Sequence, residues 1–488
     1  MITLNCPPDL STDFCAAKEA CALSSTSRQA RFLFRERAFE QIRACPCELG
    51  SVCRGLLPIC AFLDLSEGCC RGGQHSRFNH VLDLSDLATA VRLKRLTIDA
   101  PVFVKSLDPC SDLKRLEEVS VLVACVMDMR GISRMHALKR LQLQSCYISD
   151  IKPLRRLSRL QELRLGLDTL SDLSPISGME LETLVLSKCH ISSIEVVSTL
   201  SKLKVFEAHN IPFPLDLAPL SRKKGLLKVT LKSITVSRVG SLACLPDLQE
   251  LEADFCSEDR IDLVLASRLE RLQKLDFCYR PGSGLHQFTA LDPLSGLSDL
   301  RHIALSGHRL QHLGPLALSV QKVGFPVLLF LDLSGNEIAD LSPLGKLPSL
   351  RALLLARNRV AGLRPLAAAT ALEELDLSGN KRVRDLRPLA GLVRLRRLAL
   401  ATNRVADLRP LAGLRRLEAL DVRENMVADL RPLAGLPRLR RLDAAFNAVA
   451  DPGALLVGPP GRLGPLAVVD LRRNPLSAAG AAGALAAL

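Results

Sequence analysis

The 488-residue chain has no tryptophan, two tyrosines and only 3% aromatic residues. A core without large rings must be filled by aliphatic side chains, and a surface for stacking nucleic-acid bases is hard to assemble. No run of 18 or more apolar residues occurs, which excludes a membrane-spanning helix. The opening MITLNCPPDL lacks the basic and apolar segments of a secretory signal. None of the ten asparagines is followed by x-Ser/Thr, so there is no N-glycosylation acceptor. These absences, with reduced thiols, lead to the expectation of an intracellular, cytoplasmic protein, the nucleus remaining open. The signatures GxxxxGK(S/T), HExxH and GxSxG are also missing. Neither enzyme activity, nor a cofactor, nor a small-molecule substrate is expected.

What is present is leucine in a period. Hydrophobic residues make up 48% of the chain, enough for a large core, and the formal charge of +14 permits an acidic partner without requiring one. From Leu331 the sequence reads LDLSGNEIADLSPLGKLPSLRA, LLLARNRVAGLRPLAAATALEE, LDLSGNKRVRDLRPLAGLVRLRR, LALATNRVADLRPLAGLRRLEA and LDVRENMVADLRPLAGLPRLRR. One slot holds Asn336, Asn358, Asn380, Asn403, Asn425, Asn447 and Asn474, at spacings of 22, 22, 23, 22, 22 and 27 residues. The template is LxLxxNxhxDLxPLxxLxxLxx, with h apolar. Upstream the slot holds Cys146, Asp168 and Cys189, then less regularly Ile211, Ile234, Cys256, Arg280 and His308. About seventeen such repeats fit between residue 93 and the C-terminus.

Each template position has a physical reading. LxL is a short strand whose two leucines point into the core while the residue between them faces outward. The slot asparagine can bond backbone groups of the turn, and stacked copies form a ladder. Cysteine is small and a weak donor, so Cys146, Cys189 and Cys256 suit the slot as structural thiols. Asp-Leu-x-Pro turns the chain, with the proline presetting φ for a helical first turn. One repeat cannot bury its own apolar face, whereas stacking makes a continuous core and one long parallel sheet.

The template resembles the leucine-rich repeats of internalins and of the leucine-rich regulatory subunit of protein phosphatase 1. The DLxPL turn is also similar to that of trypanosome leucine-rich-repeat proteins, some of them named adenylate cyclase regulators. The resemblance covers roughly residues 93–476. It implies an α/β repeat solenoid, a leucine-rich-repeat horseshoe with a parallel concave sheet and short helical or irregular convex segments, and it is nearly silent on the partner. Four segments are expected: a Cys-rich N-terminal cap region (1–92), divergent repeats (93–330), regular repeats (331–476) and a C-terminal helical cap (477–488). Within the head, RQARFLFRERAFEQIR reads as an amphipathic helix, with Phe32, Leu33, Phe39 and Ile42 at helical spacing. Cys45, Cys47, Cys53, Cys60, Cys69 and Cys70, with His75 and His80, could supply zinc ligands, but no CxxC pair occurs and the head is expected to be metal-free. The strand frame sends His302, His308 and His312 to the concave face, the turn and the convex side, too far dispersed to share a metal.

Charge and aromatics point to an interaction surface. The outward residue of LxL is repeatedly acidic: Glu207, Glu252, Asp276, Asp332, Asp376, Asp421, Asp443 and Asp470. Arginines fall elsewhere, at Arg364, Arg387, Arg409 and Arg431 before the turn prolines and in the pairs 396–397, 415–416 and 440–441. An acidic concave stripe suits a partner with a basic surface and disfavours nucleic acid there. Phe255 and Tyr279 precede the slot on consecutive repeats, flanked by Glu252, Asp254 and Asp276, and the stretch RPGSGLHQF after Tyr279 could close over them. The expected function is a non-enzymatic scaffold that binds another protein on the concave face. The alternatives are a regulatory subunit docking on a phosphatase or cyclase, and an RNA- or ribosome-associated protein using the convex arginines.

Overall fold

A computed structural model describes residues 3–5, 41–44, 61–66, 81–100, 102–144, 148–257, 263–278, 288–289, 291–317, 325–452 and 467–477. The chain divides into two compact units, Met1–Ser241 and Leu242–Leu488.

The first unit carries a parallel ladder of Gln41–Ala44, Phe62–Ser66, Arg95–Asp99, Glu118–Val121, Arg140–Gln144, Glu162–Gly166, Thr183–Ser187, Val205–His209 and Lys228–Ser237, each paired with the next. Thr3–Asn5 adds an antiparallel partner to the first of these. The second unit is built the same way from Glu250–Ser257, Lys274–Phe277, His302–Ala304, Phe330–Asp332, Ala352–Leu354, Glu374–Asp376, Arg397–Ala399, Ala419–Asp421, Arg441–Asp443 and Val468–Asp470. Register aligns leucine with leucine, as in Leu353, Leu375, Leu398, Leu420 and Leu442, all buried. This is the predicted repeat solenoid, and the parallel strands need the crossover segments that each repeat supplies.

The crossovers are single 3-10 turns: Ser342–Lys346, Arg364–Ala368, Arg387–Leu389, Arg409–Leu411 and Arg431–Leu433, each with proline in its first two positions. The aspartate of the DLxP motif starts them. Asp340, Asp385, Asp407 and Asp429 each accept the backbone N–H two residues on, at 2.9–3.0 Å, which satisfies a donor that the turn itself leaves open. The residue before the slot is left-handed in repeat after repeat. Gly335 and Gly379 take that conformation freely, but Arg357, Thr402, Glu424 and Phe446 take it as well, at φ of 50–57°.

Two expectations about the head need revision or lie elsewhere. Helical periodicity through Ile42 gives way to a strand: Gln41–Ala44 pairs in parallel with Phe62–Ser66, setting Ile42 opposite Leu63. Ladder pairing offers these backbone groups partners that an isolated helix end does not. The rest of that segment, the clustered cysteines with His75 and His80, and residues 478–488 lie outside the described residues.

Candidate interaction face

The slot ladder comes first, because it holds the strands in register. The amide of Asn358 donates to Leu333 O on the preceding repeat (2.9 Å) and to its own Leu355 O (3.1 Å), while its oxygen accepts from Ile338 N–H (2.9 Å). Asn336, Asn380, Asn425, Asn447 and Asn474 repeat this pattern. Asn336, Asn358, Asn380 and Asn403 are buried, and Asn425, Asn447 and Asn474 are half-buried. Asn403 breaks the pattern. Its amide still reaches Leu377 O and Leu400 O, but its buried oxygen accepts no hydrogen bond. The repeat before it is 23 residues long, one more than its neighbours, and its Arg382 N–H bonds Asn380 O.

Substitutes in the slot serve the same carbonyls. Cys189 is buried and its Sγ lies 3.6 Å from Leu165 O and 3.4 Å from Ser187 O, as a structural thiol should. His308, 2% exposed, donates through Nε2 to Phe277 O (2.7 Å) and accepts at Nδ1 from Phe288 N–H (3.3 Å), its ring stacked on Phe288 at 4.3 Å. Burial lowers its pKa to about 4, against the bond to Phe277 O, which favours the charged form. The neutral Nε2–H tautomer does both jobs. Cys146, Cys256 and Arg280 lie outside the described side chains.

The face turned away from the leucines carries two outward columns. In the second unit, register puts Glu252, Asp276, Ala304, Asp332, Leu354, Asp376, Ala399, Asp421, Asp443 and Asp470 in one column. The acids do local work as well: Asp332, Asp376, Asp421, Asp443 and Asp470 each accept the N–H two residues on, at 2.8–3.2 Å. Arg423 bridges Asp421 and Asp443, at 2.9 and 3.2 Å. Burial, then the carboxylates of Asp421 and Asp470 on either side, push the Asp443 pKa up. Two expected contact residues are not open: Glu252 is 7% exposed and bonded to Lys274 at 2.7 Å, and Asp254 is 8% exposed. The side chain of Phe255, the whole of Tyr279, and residues 280–287 of the stretch after it lie outside the described residues, while Phe288 at its end stacks on His308.

No family model and no curated protein matches the sequence. Among solved structures, the Arabidopsis receptor kinase HAESA, in complex with the peptide hormone IDA and the co-receptor SERK1, is similar with a TM-score of 0.52 at 17% identity, over 90% of this chain and 79% of that one. This is a leucine-rich-repeat fold. A Leptospira interrogans leucine-rich-repeat protein gives a TM-score of 0.48 at 16% identity over 90% of each chain. An internalin of Listeria monocytogenes gives 0.39 at 20% identity, over 79% of this chain and 88% of that one.

In the leucine-rich repeats of the first unit, the column that is acidic in the second reads Asp64, Thr97, Ser120, Gln142, Arg164, Val185, Glu207 and Thr230. Its Arg164 pairs with Glu162, and in the adjacent column Arg95 and Arg140 both reach Glu118, at 2.7 and 2.8 Å. Glu207 is held down at about 2 by His209 and then by Lys228. Three of the four arginines before the turn prolines are paired too, which offsets part of the positive charge of that surface. Arg387, Arg409 and Arg431 fold back onto Asp385, Asp407 and Asp429 through two bonds each, at 2.8–3.0 Å. The i, i+2 geometry of DLR makes the fork fit, and the pairing offsets the charge.

Sequence reasoning missed an apolar inclusion in the acidic face. His302 and Phe330 stack on adjacent strands, centroids 4.1 Å apart and planes 1° from parallel. On the next strand half-buried Ala352 pairs with Phe330 and half-buried Leu354 lies two residues on, and Leu329, before Phe330 in the chain, is 37% exposed. The signal was there to read: LLL at 353–355, where the template asks for a polar middle residue. Among the described residues, no group of three or more His, Cys, Asp or Glu is arranged to hold a metal, and no helix is long and apolar enough to cross a membrane.

Proposed function

We propose that this protein is a non-enzymatic binding scaffold, and that the outward face of the strands in the second unit docks another protein. One observation carries the reading: a column of half-buried aspartates on a stacked, hydrogen-bonded ladder, interrupted by apolar side chains that have no role in the leucine core. A surface pre-organised by stacking loses little conformational entropy on association. Aromatic and aliphatic anchors ringed by charge are the composition of an interface rather than of a merely solvated face. The paired state of Arg387, Arg409 and Arg431 weighs against RNA binding through that column, since each guanidinium already has a carboxylate. Docking on a phosphatase or a cyclase is a special case of the same face at work.

The test is a charge reversal on each side. Asp421→Lys with Asp443→Lys should abolish retention of specific proteins from native extract, and Arg409→Glu on the turn side should leave it unchanged. Retention insensitive to the first pair and lost with the second change would move the site off this face.

A further inference from the structure

The apolar inclusion and the aspartates around it have a spacing that selects one kind of occupant. Along the column, Asp276, Asp332, Asp376 and Asp421 fall on every second strand, with Ala304, Leu354 and Ala399 between them. Neighbouring strands lie about 4.8 Å apart, so the carboxylates recur about every 9.6 Å. A polyproline II helix has three residues per turn and rises about 3.1 Å per residue, so every third residue returns to the same side after about 9.3 Å. A β-strand cannot match this, because its side chains alternate sides with period two and residues i and i+3 face opposite ways. Nor can it add to the sheet here: the backbone groups of these central strands are already paired on both sides. A polyproline II segment needs no backbone partner, and its rings favour aromatic-lined surfaces. His302, Phe330 and Leu354 supply such a surface.

We propose that the face centred on Phe330 and Leu354 docks a proline-rich, polyproline II segment of a partner protein with Lys or Arg at every third position. The basic residues meet Asp276, Asp332 and Asp376, and the residues between them lie on the His302–Phe330 stack and Leu354. The proposal rests on the reading of this face as a docking surface and adds the conformation and register of the ligand.

The probe is a fluorescein-labelled peptide of four Pro-Pro-Lys triplets, titrated with the full chain and followed by anisotropy. Saturable binding should be at least tenfold tighter than for a peptide of the same composition with its lysines gathered at one end, and should vanish for Pro-Pro-Glu triplets. That comparison needs no variant. Asp332→Asn with Asp376→Asn should weaken the triplet peptide at least tenfold, and Asn keeps the acceptor that Ser334 and Ser378 N–H require. Equal binding of the two lysine peptides, or binding indifferent to the double substitution, overturns the proposal. If it does so while the Asp421→Lys, Asp443→Lys pair still abolishes protein retention, the docking surface stands and only its ligand was wrongly named.

Discussion

The repeats from Leu331 onward fill the slot with asparagine, whereas upstream it varies, and the histidine and one cysteine found there serve carbonyls at equivalent places. Asn358 donates to Leu333 O, His308 to Phe277 O and Cys189 to Leu165 O, each on the preceding repeat. The demand is therefore constant and lies in the backbone. What varies is the second half of the task. Asn358 and His308 also accept an N–H from the preceding repeat, Ile338 and Phe288 respectively, whereas the equivalent N–H before Cys189, that of Leu170, bonds Leu167 O. Asn403 shows that asparagine also stands in the slot where its oxygen has no N–H to accept.

The largest expected departure between the two regions is with pH. His308 is neutral and buried, with a folded-state pKa of about 4 against an ordinary 6.5. As pH falls below 6.5 the opened chain takes up a proton that the folded one refuses, so stability declines down to about pH 4 and this group adds nothing further below it. The difference corresponds to on the order of 3 kcal/mol, acting on opening of the repeats around His308. Hydrogen exchange of the amides at 302–313 should quicken over that range relative to those at 397–420, where the slot is Asn403. His308→Asn should flatten the difference; an unchanged pH response in that variant would show that another group titrates.

Next in size is a contrast inside the regular region. Asn358→Ala strips two carbonyls of a donor and leaves the buried Ile338 N–H without an acceptor, a loss of about 2–3 kcal/mol. Asn403→Ala strips two carbonyls but orphans no N–H, and it removes an oxygen that was itself unsatisfied. It should cost about 1 kcal/mol less. Thermal melts of the two variants decide this, and equal costs would mean that the acceptor half of the ladder contributes little.

Much of this was legible in the sequence, and the rest was not, for a physical reason. Strand positions, slot residues and buried leucines follow from period and side-chain type, both of which are local properties. The extra residue between Asn380 and Asn403 was visible as a 23-residue spacing, but the unsatisfied Asn403 oxygen was not, because it depends on where the lengthened turn sends its N–H groups. The pairing of Arg409 with Asp407 was not read from the sequence, since a fork closing over two residues is a matter of geometry rather than composition. Glu252 and Asp254 occupy outward positions on their strand, and alternation alone could not tell that both would be covered. Gln41–Ala44 has helical spacing around it, but the ladder overrode the local pattern.

The smallest effect has the least obvious sign. Asparagine is the majority residue of the slot, so Cys189→Asn looks like a repair. The donor its oxygen would need is the N–H of Leu170, the residue equivalent to Ile338 in the preceding repeat. That N–H already bonds Leu167 O at 3.1 Å. An asparagine at 189 would thus keep the contacts to Leu165 O and Ser187 O but bury an oxygen with nothing to accept, at a cost of about 1 kcal/mol. The reciprocal change, Asn403→Cys, should be nearly neutral, because the oxygen it removes accepts no hydrogen bond. Urea unfolding of both variants checks the pair. A stabilised Cys189→Asn would mean that Leu170 N–H can be drawn from Leu167 O to a stronger acceptor, and that the turn adapts to the slot residue rather than selecting it.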